Sequence, residues 1–137
     1  MRIAVNARFL TQRVTGVQRY AIEVTKQLIG LLGESNVILL APKGAPDQFN
    51  GVHVVRSAVP LGGYAWEQFV LPHMFRTTGA EILWSPGNVG PLSVREQVLT
   101  IHDVAVFVHP QGFNRYFHSW RLEPSLRCTG SVSLVVI

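Results

Sequence analysis

The feature that most constrains the fold is a strand-like run followed by an amphipathic helix pattern near the start of the sequence. Residues 2–6 read RIAVN, a short apolar run that is typical of an interior parallel strand. Over residues 16–32, apolar side chains recur three and four positions apart, as on one buried helix face. These side chains are Val17, Tyr20, Ala21, Val24, Leu28, Leu31 and Leu32. Thr15 and Gln18 have capping-box spacing, and Gly33 suits a helix end.

Further strand-like runs and one more helix pattern follow. The predicted strands are residues 36–42, 52–56, 81–85 and 97–101. The predicted helix covers about residues 65–78, and Pro72 should kink or break it, since proline removes a backbone hydrogen bond. Its expected buried face carries Trp66, Phe69, Val70 and Met74. Strands separated by helices imply right-handed crossovers, so we predict an α/β fold with a Rossmann-like parallel sheet flanked by helices.

Composition, net charge and the cysteine count indicate which classes of protein the chain can belong to. The 137 residues are 47% hydrophobic and 15% charged, which indicates one folded domain rather than disorder. The net charge of +4 comes from scattered arginines without a basic run, which argues against a nucleic-acid interface. The single cysteine, Cys128, cannot form an internal disulfide and indicates a reducing compartment. With no leader-like start and no apolar run of about 20 residues, we expect a soluble cytoplasmic domain or a piece of one.

Ligand sites of parallel sheets lie beyond the carboxyl ends of the strands. Three predicted loops meet this criterion, at residues 7–16, 86–91 and 102–110. Gly16 lies where the unpaired N–H groups of a helix N-terminus bind phosphate, and equally where a tight loop needs a small residue. The dinucleotide fingerprint requires three glycines, whereas RVTGVQRY has one, and no Walker phosphate loop is present. Arg8 and Arg13 either neutralise a phosphate here or are solvated.

Two polar residues near the ends of later strands are further candidates. His102 follows a predicted strand directly, where it either contacts or deprotonates a substrate hydroxyl or ties down the next loop. Asn88 either donates to a polyol or belongs to a plain strand connection. The remaining histidines match no zinc spacing, so no metal site is predicted. Those histidines are His53, His73, His109 and His118, and the tryptophans expected in the core are Trp66, Trp84 and Trp120.

Four motifs occur in series along the chain: RIAVNARFL…TGVQRYAIEV, WEQFVLP, ILWSPGNVGPL and VLTIHDVAVFVHPQGF. Together they resemble the N-terminal half of family 4 (group 1) glycosyltransferases over residues 2 to about 120. The resemblance implies a GT-B architecture, in which two Rossmann-like domains face a cleft. In that architecture the C-terminal domain holds the nucleotide-sugar donor, and the N-terminal domain shapes the acceptor side. It also implies retaining transfer without a metal or a further cofactor.

The same resemblance assigns roles to individual residues. It places the donor diphosphate at Thr15, Gly16 and Val17, and it makes His102 the catalytic residue that contacts the transferred sugar. Arg19 and Tyr20 match a recurrent pair with a packing role. The acceptor-side candidates are Asn88 and Asp103. The implied partners are a nucleotide-sugar donor and a glycan or lipid-linked acceptor, with at most peripheral contact at the inner face of a membrane.

The chain departs from the family pattern in two places. The domain that holds the donor, with its two glutamates, is not found in the 137 residues. After Trp120 the sequence reads RLEPSLRCTGSVSLVVI, in which Pro124 and Gly130 interrupt any helix. We therefore expect an acceptor-side domain over residues 1–120, a truncated or frame-shifted tail over 121–137, and weak or absent activity of the chain alone. The alternatives are a non-catalytic α/β domain that binds a phosphate ligand or a protein, and a nucleic-acid-binding module.

Overall fold

The computed structural model describes residues 1–102 and 132–136. They form a seven-stranded sheet in the order β3-β4-β2-β1-β5-β6-β7, in which all pairs are parallel except β3 with β4. The predicted α/β class with a Rossmann-like parallel sheet is therefore confirmed. The strands are β1 Ile3–Asn6, β2 Val37–Ala41, β3 Gln48–Phe49, β4 Val52–Arg56, β5 Ile82–Ser85, β6 Gln97–Ile101 and β7 Val132–Val136.

The sheet order defines where a ligand site should lie. Without the short edge strand β3, the order β4-β2-β1-β5-β6-β7 is the 3-2-1-4-5-6 order of doubly wound dinucleotide-binding sheets. Chain order reverses between β1 and β5, which pair directly from Ile3↔Ile82 to Val5↔Trp84. At such a switch point the connections leave to opposite sides and open a crevice at the carboxyl edge.

Helix α1, Gly16–Leu32, has the bounds that its capping signals predict. The Gln18 side-chain oxygen accepts the Thr15 backbone N–H at 3.2 Å, and Gly33 ends the helix with a φ of 84°. Short 3₁₀ turns precede and follow the helix, at Ala7–Thr11 and Glu34–Asn36.

The buried row of α1 differs from the predicted face, which omitted Thr25 and Ile29 and included Leu31. The row centres on Ala21, Thr25 and Ile29, and the buried Thr25 hydroxyl donates to the Ala21 carbonyl at 2.6 Å. Leu31, expected on this face, is 82% exposed. Two residues rotate an α-helix by roughly 200°, so Leu31 lies opposite Ile29 and the prediction for it was wrong.

The second helical region contains a wide turn. It consists of α2 Gly63–Ala65, a π-helical segment Trp66–Val70 and α3 Leu71–Thr78. The Leu71 N–H donates to the Trp66 carbonyl five residues earlier, and Pro72, which has no N–H, follows at once. The predicted distortion at Pro72 is therefore a π-helical turn immediately before the proline.

The π segment changes which side chains face the sheet. Its extra residue per turn shifts the helical phase, so that Trp66 and Glu67 are both buried. Phe69, predicted on the buried face, is 76% exposed. That prediction assumed 3.6 residues per turn throughout, which does not hold here, because the i to i+5 hydrogen bond of the π segment widens the turn.

Two hydrophobic cores cover the two faces of the sheet. Successive strand residues point to opposite faces, so Val5 packs in the core below α1, whereas Ala4 packs in the core below α3. Trp84 belongs to the first core and Trp66 to the second, as predicted for both tryptophans. Trp120 lies outside the described residues.

Two edge features were not predicted from the sequence. The sequence analysis predicts no strand between residues 42 and 52, but β3 pairs with β4 there, and Asn50 and Gly51 form the turn between them. Both turn residues have positive φ, 49° and 85°, which is the pattern of a two-residue hairpin turn. At the other edge, β7 lies within the segment that sequence analysis assigned to the tail, and it pairs with β6 from Gln97↔Val132 to Ile101↔Val136.

Within residues 1–102 and 132–136, no helix combines the length and the hydropathy that a membrane span requires.

Candidate functional site

A pocket of about 220 Å³ lies at the switch point of the sheet. It is bounded by the end of β1, the start of α1, the π segment and the loop after β5. Its lining residues are Asn6, Arg8, Phe9, Gln12, Thr15, Val17, Gln18, Ala21, Glu67, Pro86, Gly87 and Asn88. The position is the one at which doubly wound sheets bind their ligands.

One wall of the pocket is a buried polar cluster of Asn6, Arg8 and Glu67. One oxygen of the Glu67 carboxylate accepts from Asn6 Nδ2 at 2.8 Å, and the other accepts from Arg8 Nη1 at 2.5 Å. The Asn6 oxygen accepts the Arg8 backbone N–H at 3.3 Å and so caps the 3₁₀ turn after β1. The end of β1 and the π segment are thereby joined by direct hydrogen bonds.

The electrostatics of this cluster are set by burial. Glu67 is only 3% exposed, and the desolvation of its carboxylate raises its pKa, an effect that Arg8 and the hydrogen bond from Asn6 oppose. The Arg8 guanidinium also lies 4.9 Å from the centre of the Tyr64 ring, within cation–π distance. The charge that Arg8 brings to the pocket is therefore paired in the unliganded chain.

The loop after β5 is held in place by side chains from two elements. Gln68, next to Glu67 in the π segment, donates to the Gly90 carbonyl and accepts the Leu92 N–H, both at 3.1 Å. From β6, Gln97 Nε2 donates to the Pro91 and Val94 carbonyls at 2.8 and 2.6 Å. Glu67 of the π segment therefore lines the pocket wall, and the next residue, Gln68, holds the loop that forms the opposite rim.

The residues predicted at the start of α1 lie at the pocket. Thr15 and Val17 line it, and Gly16 between them is the first residue of the helix. Apart from the chain neighbours of Gly16 and the backbone of the helix itself, no described atom lies within 4 Å of the position that a Gly16 Cβ would take. Internal packing therefore does not require glycine at this position, and the space beside its backbone is open.

His102 is hydrogen-bonded to two residues of the loop after β5, Asn88 and Pro86. The Asn88 side-chain oxygen accepts the His102 backbone N–H at 2.7 Å, and Asn88 itself has a positive φ of 65°. The His102 Nε2 lies 2.6 Å from the Pro86 carbonyl, which can only accept, so Nε2 is the donor. The ring packs edge-to-face on Tyr20, with centroids 4.7 Å apart.

In the structure, His102 makes the contact that ties down the loop after β5. This is one of the two roles that the sequence leaves open for His102. His102 is not among the lining residues, although Pro86 and Asn88, which it binds, are. Asp103, the other predicted residue at this end of β6, lies outside the described residues. Within the described part of the chain, no group of three or more His, Cys, Asp or Glu side chains is arranged to hold a metal ion.

Comparison with known proteins gives no relative from which a role could be transferred. No protein-family model matches the sequence, and neither a curated protein nor a solved structure matches it significantly. The glycosyltransferase resemblance therefore stays a prediction. What the site can do chemically has to be inferred from its own residues.

Sequence reasoning did not single out Asn6 and Glu67. Asn6 ends a strand, and its amide reaches a residue 61 positions away, which no local pattern shows. Glu67 follows a core tryptophan within an apolar helix pattern. A charged residue beside a buried aromatic is a signal, because a buried carboxylate requires hydrogen-bond partners, but the sequence does not say which partners these are.

Proposed function

We propose that this chain provides the N-terminal, acceptor-side domain of a GT-B glycosyltransferase. In the intact enzyme, a sugar passes from a nucleotide-sugar donor to a glycan or lipid-linked acceptor. The observation that carries the proposal is the polar pocket at the switch point of a 3-2-1-4-5-6 sheet, directly against the N-terminus of α1. The four motifs of the sequence resemblance support the same function.

The start of α1 suits the donor diphosphate. The first N–H groups of a helix have no intrahelical acceptor, and the helix dipole makes this end positive. Thr15 and Val17 line the pocket there, and the open space beside Gly16 leaves its backbone approachable. A diphosphate can therefore come close to the main chain at this point without displacing a side chain.

The proposed reaction needs groups from a second domain. Sugar transfer depends on stabilising the charge that develops on the departing diphosphate. In the proposed enzyme the acceptor-side domain supplies the α1 N-terminus, and the donor domain supplies the remaining contacts. We therefore expect the 137-residue chain alone to bind a nucleotide sugar weakly and not to transfer its sugar.

Thermal unfolding with a panel of nucleotide sugars tests this function, together with Gly16→Ala and a matched control, Gly30→Ala. Both glycines lie in α1, and apart from chain neighbours and the backbone of α1, neither would place a Cβ within 4 Å of a described atom. A ligand that binds only the folded state raises the unfolding midpoint. We expect one donor to raise the midpoint of the wild-type chain and of Gly30→Ala, and to raise that of Gly16→Ala much less.

Two results would contradict the proposal: no nucleotide sugar shifts the wild-type midpoint, or Gly16→Ala keeps the full shift. A shift that inorganic pyrophosphate produces equally well would instead favour the alternative, a non-catalytic phosphate-binding domain. Sugar transfer by the isolated chain would contradict the expected need for a second domain.

A further inference from the structure

The polar cluster of the pocket has a consequence for the ligand charge that the pocket accepts. Arg8 is the cation of the lining, and its Nη1 donates to Glu67 Oε2 at 2.5 Å. Side-chain exposure is 15% for Arg8 and 4% for Glu67, so water screens this pair poorly. Among the described residues, Arg8 is the charged group that acts on Glu67, and the other contact, Asn6, is uncharged.

We propose that Glu67 is the specificity-determining residue of the pocket, because it neutralises Arg8. The Arg8 end of the pocket therefore accepts an uncharged, hydroxyl-bearing ligand group. It admits a phosphate only when Glu67 takes up a proton. The inference rests on the proposed function, in which the ligand carries both a sugar and a diphosphate. It assigns the diphosphate to the α1 end of the pocket and the hydroxyl groups to the Arg8 and Glu67 end.

The hydrogen-bonding capacity of the cluster fits hydroxyl groups. A carboxylate offers about four acceptor sites, and Glu67 uses one on each oxygen, for Asn6 and for Arg8. Arg8 has five N–H donors in total. A ligand hydroxyl both donates and accepts, and it can therefore satisfy Glu67 and Arg8 together without separating them.

A phosphate at the same place faces the opposite situation. The diphosphate of a nucleotide sugar is esterified at both ends, so it carries no donor at neutral pH to offer Glu67, and it competes with that carboxylate for the Arg8 guanidinium. Because Glu67 is buried, its negative charge repels the anion more strongly than a solvated carboxylate would. The burial that raises the pKa of Glu67 makes protonation the accessible way to remove this repulsion.

Binding of inorganic pyrophosphate to the full chain tests the inference, measured by calorimetry from pH 8 to pH 4. The variant Glu67→Gln keeps the size and shape of the side chain and removes its charge. Glu23→Gln is the matched control, because it removes the same charge from an exposed position of α1 that is paired with Lys26. At each pH, the ratio of wild-type to variant dissociation constants cancels the titration of pyrophosphate itself.

At pH 8 we expect Glu67→Gln to bind pyrophosphate about tenfold more tightly than the wild-type chain, a typical size for coupling between sites. The ratio should fall towards one as the pH is lowered and Glu67 becomes protonated. Glu23→Gln should match the wild-type chain at every pH. A ratio near one at pH 8, or one that does not change with pH, would overturn the inference and leave the proposed function standing.

A second measurement covers the case in which Glu67→Gln does not fold. The side-chain carboxyl carbon of Glu67 is titrated by NMR in the wild-type chain, with and without pyrophosphate. Linkage requires that bound pyrophosphate raise the pKa of Glu67 if protonation favours binding, and an unchanged pKa with pyrophosphate bound overturns the inference. If no variant binds pyrophosphate at any pH, the inference fails together with the diphosphate site of the proposed function.

Discussion

At the scale of single residues, Glu67 is the most informative position in the described chain. It is a carboxylate that is 3% exposed, held by one amide and one guanidinium. Removing one partner of such a cluster costs more than the cluster contributes, because it leaves a buried charge without compensation. We therefore expect the cluster of Asn6, Arg8 and Glu67 to affect stability as a unit. In the proposed site, the same contacts determine which ligand group is accepted.

The raised pKa of Glu67 predicts a pH dependence of stability. Between its ordinary value of 4.5 and its higher folded-state pKa, Glu67 binds more protons in the folded chain than in the unfolded chain. Its contribution to the free energy of unfolding is therefore largest below about 4.5 and is lost as the pH rises through the folded-state pKa. Denaturant unfolding at several pH values, compared with Glu67→Gln, measures this contribution.

In that comparison, the stability of the wild-type chain relative to Glu67→Gln should decrease with rising pH and then become constant. Glu23→Gln controls for the change in net charge. A difference that increases with pH would mean that the attraction of Arg8 outweighs the desolvation of the Glu67 carboxylate.

At the scale of elements, the π segment and the loop after β5 form the two sides of the site. The π turn presents Glu67 to the pocket and Gln68 to the loop. The loop, residues 86–96, connects two parallel strands without a helix or strand of its own. Its shape therefore depends on the side chains that bind its carbonyls, chiefly Gln68 and Gln97.

This dependence predicts that Gly90→Ala destabilises the loop. A Cβ at Gly90 would lie 3.2 Å from Ser85 Oγ and closer still to the Gln97 side-chain oxygen, both buried. Overpacking of this kind costs about 1–3 kcal/mol. The control is Gly87→Ala in the same loop, which would meet no described atom within 4 Å. Denaturant unfolding should show the loss for Gly90→Ala only, and equal stabilities would contradict the packing of Gln97 against this glycine.

At the scale of the whole molecule, one sheet is shared by two cores. Neighbouring residues of the same strands enter opposite cores, as Ala4 and Val5 do in β1 and as Leu40 and Leu39 do in β2. A strand cannot lose one of these faces and keep the other, since the same backbone hydrogen bonds position both. The two cores should therefore unfold together.

Tryptophan fluorescence tests this cooperativity. The double variant Trp66→Phe/Trp120→Phe leaves Trp84 as the reporter of the core below α1, and Trp84→Phe/Trp120→Phe leaves Trp66 as the reporter of the core below α3. In each variant, we expect the fluorescence transition to coincide with the loss of helical circular dichroism, as in two-state unfolding. Separate transitions for fluorescence and circular dichroism in either variant would show that the cores unfold independently.

The sequence by itself determined the elements whose signals are local. The bounds of α1 follow from Thr15, Gln18 and Gly33, and β4 and β6 have the predicted limits, because capping and apolar runs act over a few residues. The resemblance to family 4 glycosyltransferases, rather than these local signals, predicted Thr15 and Val17 as site residues at the start of the helix. Local patterns also led to errors, because Leu31 and Phe69 are apolar at helical spacing and still exposed.

Only the tertiary structure decided which distant residues meet. The hydrogen bond of Asn6 to Glu67 spans 61 positions, the pairing of β6 with β7 joins residues 97–101 to 132–136, and the π turn changes the phase of its helix. The pocket wall exists because the sheet order brings the end of β1 beside the π segment. A buried charge is stable only with partners that compensate its desolvation, and such partners are chosen by the fold rather than by neighbouring sequence.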